Sequence, residues 1–181
     1  MSDSQQSVEV LNQLLARLSV ATPDNRDEVA TEVSSFVNGN IIEHDAPEHF
    51  FNGLAKAIKD KKSAVNSLAA VSHVASTSGL APSVEPYVVA LVPAILEQTG
   101  SKDKDVQSAA NAALHAVVTA VNPVAVKAVL PHLTKSLSET NKWQEKVAVL
   151  AAISSLVDQA KSQIALRMPE LIPVLSEAMW D

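Results

Sequence analysis

Three prolines set the period of this chain. Val92-Pro93, Leu130-Pro131 and Ile172-Pro173 hold the same place in the strings LVPAILE, VLPHLTKSL and LIPVLSEAM, with Pro93 and Pro131 38 residues apart and Pro131 and Pro173 42 apart. An earlier copy, aligned through Lys56 and Lys135, carries Asn52 at the equivalent place, 41 residues before Pro93. A second register repeats with it: Val71, Leu114 and Ile153 follow one another at 43 and 39 residues. A proline inside a helix removes the hydrogen bond to residue i−4 and bends the axis, so prolines in register predict a kink repeated along an array.

The repeating unit is clearest between Asn122 and Gln159. Val126, Val129, Leu130, Leu133 and Leu137 fall on one face of a 3.6-residue period, and Asn122-Pro123 opens that helix with the ring where no N–H is needed. Ser136 to Asn141 (SLSETN) breaks the pattern. Asn141 is then placed to cap a second helix, whose apolar residues are Val147, Val149, Leu150, Ile153, Leu156 and Val157. That stripe is too broad for one neighbour to cover, so such units must stack. Helix pairs recurring every 40 or so residues mark the HEAT or armadillo class, and the expected fold is an all-α solenoid of HEAT-type pairs with about nine helices.

The whole chain, residues 1–181, reads as one array. Val8, Leu11, Leu14, Leu15 and Leu18 give a first helix. Thr22-Pro23 starts a second, with Asp24, Asp27 and Glu28 at its positive end, the stripe Val29, Val33, Phe36 and Val37, and a stop at Asn38-Gly39. This pair, 1–39, is shorter and more polar than the rest and is expected to cap the array. Repeats follow at 45–79, 83–121 and 122–160, the first opened by Asp45 as N-cap with Glu48 as its box partner. Residues 161–181 are expected to be the first helix of an incomplete repeat. Its stripe, Ile164, Met168, Leu171, Ile172, Leu175 and Met179, would then lie bare.

Hydrophobic residues make up 47% of the chain and aromatics only 3%, a balance of Ala and Val that suits closely packed helices. Cysteine is absent, which excludes disulfides and thiolate metal sites. The start, MSDSQQS, has no basic n-region, and no run of 18 apolar residues occurs, so a soluble, cytoplasmic protein without membrane contact is expected. The net charge of −6 is unevenly placed. Residues 1–50 hold nine carboxylates against Arg17 and Arg26, a balance of −7, and the remainder is close to neutral. A polyanion would avoid the first pair of helices and tolerate the others.

Enzymatic chemistry finds little support. No GxxxxGK[ST] run is present, and Gly39, Gly53, Gly79 and Gly100 are too scattered to cradle phosphate. Glu43, His44, Asp45, Glu48 and His49 crowd one stretch with metal-ligand types, but capping accounts for Asp45 and Glu48, and Pro47 separates the histidines. His73, His115 and His132 stand alone on separate repeats. Trp143 is expected to pack over the turn at the start of its helix, with an anchor for a partner as the alternative, a role Trp180 shares. No catalytic residue, metal, cofactor or small-molecule ligand is therefore assigned to this chain.

The turns between paired helices carry the remaining signal. Lys56, Lys59, Lys61 and Lys62 lie at one, Lys102 and Lys104 at the next, Lys142 and Lys146 at the third. Because a solenoid brings equivalent turns to one edge, these lysines are expected to form a ridge facing phosphate. Asp60, Asp103, Asp105, Glu139 and Glu145 dilute it, and the competing reading is a solvated edge with helix-capping acids.

The strings MSDSQQS, NGNIIEHD followed by PEHFF, PSVEPY, VNPVAVKAVLPHL, ETNKWQEK and IALRMPELIPVLSEAMWD, in this order and spacing, resemble the N-terminal HEAT segment of fungal translation elongation factor 3. The resemblance implies a ribosome-binding scaffold in contact with rRNA and ribosomal proteins. It further implies a longer protein that uses ATP and Mg²⁺ in cassettes outside these residues, promotes release of tRNA from the exit site and works with the aminoacyl-tRNA delivery factor. The alternative function is a generic cytosolic α-solenoid scaffold that binds protein alone.

Overall fold

The structure, a computed structural model, describes residues 3–39, 46–76 and 80–180. Ten α-helices occur among them: α1 (Asp3–Val20), α2 (Arg26–Gly39), α3 (Ala46–Lys59), α4 (Ala64–Ser76), α5 (Glu85–Thr99), α6 (Lys104–Ala120), α7 (Val126–Glu139), α8 (Trp143–Gln159), α9 (Lys161–Ala165) and α10 (Met168–Ala178). Successive helices pair as α1·α2, α3·α4, α5·α6 and α7·α8. The first members pack on one another as α1·α3, α3·α5 and α5·α7, and the second members as α2·α4, α4·α6 and α6·α8. Two layers of helices result, with the core between them, and α10 extends the first layer by packing on α7.

Burial follows the repeat. Val126, Val129, Leu130, Leu133 and Leu137 are all buried, as are Val71, Leu114 and Ile153 at their equivalent places in α4, α6 and α8. Pro93, Pro131 and Pro173 lie inside α5, α7 and α10, and each is exposed, as is Asn52 at the matching position of α3. The missing N–H of each proline thus faces outward, where the broken ladder costs least. Across the α3–α5 contact Phe51 stacks on Tyr87 with ring centroids 5.5 Å apart, and within α3 it meets Phe50 edge-on.

Several helix starts differ from the sequence expectation. Thr22-Pro23 opens a turn, not a helix; the Asn25 carboxamide oxygen accepts from the Thr22 N–H at 2.8 Å, and α2 begins at Arg26. Asn122-Pro123 likewise opens a short 3₁₀ turn, Pro123–Ala125, capped by the Asn122 side chain, with α7 behind it. Asn141 does not cap α8. The residue before α8 is Lys142, which offers no side-chain hydrogen bond, and α7 continues through Ser136 to Glu139. The expected cap at Asp45 and the stop at Ser78-Gly79 fall outside the described residues.

The last segment is not one helix. A continuous helix would drive the Pro169 ring into the carbonyl of Ala165, so the chain turns at Leu166-Arg167 and restarts with the proline in the first turn of α10. The expected stripe divides accordingly: Ile164 and Leu171 are buried, while Met168, Ile172 and Met179 are exposed. No single helix among the described residues is long and apolar enough to cross a membrane.

Polar side chains join one repeat to the next. Asn66, buried in α4, donates through Nδ2 to the carbonyls of Leu18 (3.0 Å) and Ala21 (2.8 Å), and its Oδ1 accepts from Arg26 Nε at 2.6 Å. The last carbonyls of a helix have no partner within it, and Asn66 satisfies those at the end of α1. Replacing Asn66 with Ala is expected to lower stability by about 2–3 kcal/mol through stranded acceptors. Asn66→Asp, which keeps the Arg26 contact and loses both donors, is expected to recover only part of the loss in chemical denaturation. In the same assay Leu133→Ala, which empties a fully buried site, should cost about 2–5 kcal/mol. Ile172→Ala on the exposed side of α10 should stay within about 0.5 kcal/mol.

Candidate interaction edge and second-layer face

The sequence-predicted lysines are placed by the ends of the first-layer helices and the starts of the second-layer ones. Lys59 ends α3, Lys61 and Lys62 follow in the turn, Lys102 precedes α6 and Lys104 begins it, and Lys142 and Lys146 flank the start of α8. The turns are neighbours in space. Lys59, Lys61 and Lys102 line one cleft of about 370 Å³ together with Gln98, Ser101 and Asp103. The aliphatic stem of Lys142 lies over Gly100, where any side chain would run into it, so the α5–α6 and α7–α8 turns also touch.

The seven are not equivalent. Lys59 is ion-paired with Glu97 of α5, Nζ to Oε2 at 2.8 Å. Lys142 is folded onto Gly100 close to Glu145, and Lys146 is half-buried. Lys61, Lys62, Lys102 and Lys104 are exposed and form no ion pair among the described residues, as is the case for Lys56 on α3. Nor do the diluting acids act alike. Asp103 caps α6, accepting from the N–H groups of Asp105 (2.9 Å) and Val106 (3.4 Å). Glu145 is buried and accepts from Ser136 Oγ at 2.6 Å and Thr140 Oγ1 at 2.9 Å, which ties the α7–α8 turn together. Sequence reading misses Glu97 as a counter-charge. The available signal is position, since Glu97 lies one repeat beyond Lys59.

The acidic first pair uses its cations internally. Arg17 is paired with Glu32, and that hydrogen bond and charge raise the guanidinium above its already high ordinary value. Arg26 is held by Asn66.

Elsewhere the candidate ligands stay apart. His73 on α4 sits beside Thr31 and Asp27, His115 is exposed on α6, and His132 lines a cleft between α5 and α7. That cleft also holds Glu97, Glu139 and Glu145, each already engaged, Glu139 with Lys135 at 4.0 Å. No group of three metal-ligating side chains occurs among the described residues. Of the crowded stretch 43–49, Glu43, His44 and Asp45 lie outside them, and Glu48 and His49 are exposed on α3.

Trp143 departs from expectation. It does not pack over its turn but stands 69% exposed at the first position of α8, with Val147 exposed one turn on. Both line a groove of about 400 Å³ between α6 and α8 on the second-layer face. A shallower groove between α4 and α6 shares His115 with it. Trp180 is also exposed, beyond α10.

Comparison with known proteins gives this geometry a family. Residues 26–181 match the family model described as EF3 N-terminal HEAT repeat. Over all 181 residues the chain is 97% identical to elongation factor 3 of Zygosaccharomyces rouxii, and 67% identical to elongation factor 3A of Saccharomyces cerevisiae. It spans 17% of the length of each of those relatives. Among solved structures, an engineered protein aligns over 92% of this chain and 42% of its own at a TM-score of 0.51 and 18% identity, which shows the fold alone. The period, the two-layer stacking and the matched residues agree, and the chain belongs to the family of N-terminal HEAT repeats of elongation factor 3.

Proposed function

We propose that this chain is the ribosome-binding scaffold of a translation elongation factor in the cytoplasm, and that its turn edge rests on rRNA phosphates. The observation that carries the reading is the approach of Lys61 and Lys102 across one cleft from successive turns, with Lys62 and Lys104 exposed beside them. Cations from separate repeats then act on one stretch of polyanion. The first pair of helices, with its excess of carboxylate and its arginines engaged, faces away from phosphate in such a complex. The second-layer face remains open for protein, so ribosomal proteins and the aminoacyl-tRNA delivery factor are partners compatible with the same pose. ATP, Mg²⁺ and tRNA release belong to the longer protein and involve no residue of this chain as catalyst.

Ribosome co-sedimentation over a salt series tests the edge. Each phosphate neutralised contributes about −0.7 to −0.9 to the slope of log affinity against log salt, so Lys61→Gln, Lys62→Gln, Lys102→Gln and Lys104→Gln combined should weaken binding and flatten that slope by up to about 3. The exposed Arg17→Gln should leave both unchanged. Wild-type affinity and slope in the four-lysine variant would mark the ridge as a solvated edge only. Separately, the purified chain incubated with ATP and Mg²⁺ is expected to show no turnover with or without ribosomes; hydrolysis that survives repurification would move the catalyst into these residues.

A further inference from the structure

The second-layer face carries a feature that the phosphate edge does not explain. Between α6 and α8 the facing positions are small, Ala148, Ala151 and Ala152 among them, and leave a furrow walled by Leu114, Val147 and Trp143. Trp143 is 69% exposed and Val147 57%, two large apolar side chains on the same rim. Exposed aromatic and aliphatic groups beside a furrow are the arrangement that anchors a partner. No carboxylate lines the furrow; its remaining side chains are amides, a serine hydroxyl and His115.

Charge distinguishes the two ends. As second members of successive pairs, α6 and α8 run in the same direction, so both positive helix ends meet at the Trp143 end. Lys104, Lys142 and Lys146 are gathered there. Of the nearby acids, Glu145 is buried among hydroxyls, while Asp103, which caps α6, and Asp105 are exposed; the α8 start has no side-chain cap of its own. The far end of α8 carries Asp158 instead. The furrow runs along α8 from Trp143 to Ser155, about 18 Å, or the length of about three helical turns.

We infer that this furrow binds an amphipathic helix of a protein partner, its apolar face against Trp143 and Val147 and its carboxylates over the Trp143 end. The apolar walls favour helix over nucleic acid, because a phosphate laid in the furrow meets no cation inside it. The furrow shares Lys104, Lys142 and Lys146 with the lysine edge, but its apolar anchors Trp143 and Val147 lie outside that edge, so the outcome of their variants leaves the phosphate reading intact.

The test uses the 181-residue chain with Trp180→Phe, so that Trp143 is the sole indole. Two acetylated 14-residue helical peptides serve as probes, both with leucines spaced i, i+4, i+7, one with three glutamates at one end and the other with three lysines. The glutamate peptide is expected to blue-shift Trp143 fluorescence and to move the amide resonances of Val147 and Ala151. Val147→Lys should weaken it at least about tenfold, as loss of a central apolar contact does. Trp143→Ala, followed by the Val147 resonance, should do the same, with helicity unchanged. Lys104→Glu with Lys142→Glu should reverse the preference between the two peptides. Equal affinity for both peptides, no effect of Val147→Lys, or no binding by the glutamate peptide would overturn the inference. So would a Trp143 shift produced instead by a single-stranded RNA oligonucleotide or by self-association of the chain.

Discussion

The breadth of the apolar face of α5 is the constraint on which the array depends. Val88, Val89, Leu91, Val92, Ala94, Ile95, Leu96 and Thr99 are all buried in a helix of 15 residues. One neighbour covers a stripe of roughly a third of a helix surface, and α5 exposes little beyond Pro86, Ala90, Pro93 and Glu97. It therefore needs α3 and α7 on either side and α6 behind. The same requirement on α4, whose partners include α2, α3 and α6, fixes the second layer. Stacking is the solution in which each helix is both cover and covered, and the scarcity of aromatic side chains lets the layers approach closely.

Apolar burial sets the stacking but not the register, because small aliphatic faces slide past one another at little cost. The polar ties supply register. Asn66 reaches back to the end of α1, Ser34 Oγ donates to the carbonyl of His73 at 3.1 Å, Asn38 Nδ2 to that of Val74 at 2.9 Å, and the Asn122 N–H donates to Glu85 at 2.6 Å. Most of these acceptors are helix-end carbonyls that lack a partner within their own helix. Each bond is satisfied only when the repeats stand in the native offset, and a slip by one residue strands the buried and half-buried carbonyls among these acceptors.

Much of this is legible in the chain. The five-residue stripe of α7 predicts its burial in full, and the spacing of Pro93, Pro131 and Pro173 places three first-layer helices. Local starts are harder. Pro23 and Pro123 fit a first helical turn, yet Asn25 and Asn122 bond backbone N–H groups nearby and hold a turn first. Asn141 has the chemistry of a cap, but Glu145, which sequence alone places among surface acids, closes that turn from inside. Trp143 is misplaced by sequence for a related reason. Its angular position on α8 lies opposite Ala148, Ala152 and Leu156, the face that is buried, and helical phase rather than hydrophobicity decides its exposure. Among the lysines, sequence counts them but does not pair them, because Glu97 reaches Lys59 only once α3 and α5 are side by side.

The repeat spacing also limits how basic the edge can become. Packed helices stand about 8–10 Å apart, so lysines on successive turns face one another at close to one screening length in physiological salt. Unopposed rows at that distance repel and loosen the stack that forms them. Glu97, Asp103 and Glu145 relieve this from within, and each serves the fold at the same time by pairing with Lys59, capping α6 or closing a turn. Lys61, Lys62, Lys102 and Lys104 form no ion pair among the described residues, and packing does not use their charge. The lysines without an ion pair thus lie at the middle turns, where the stack is supported on both sides, and not at the first pair, whose arginines are engaged.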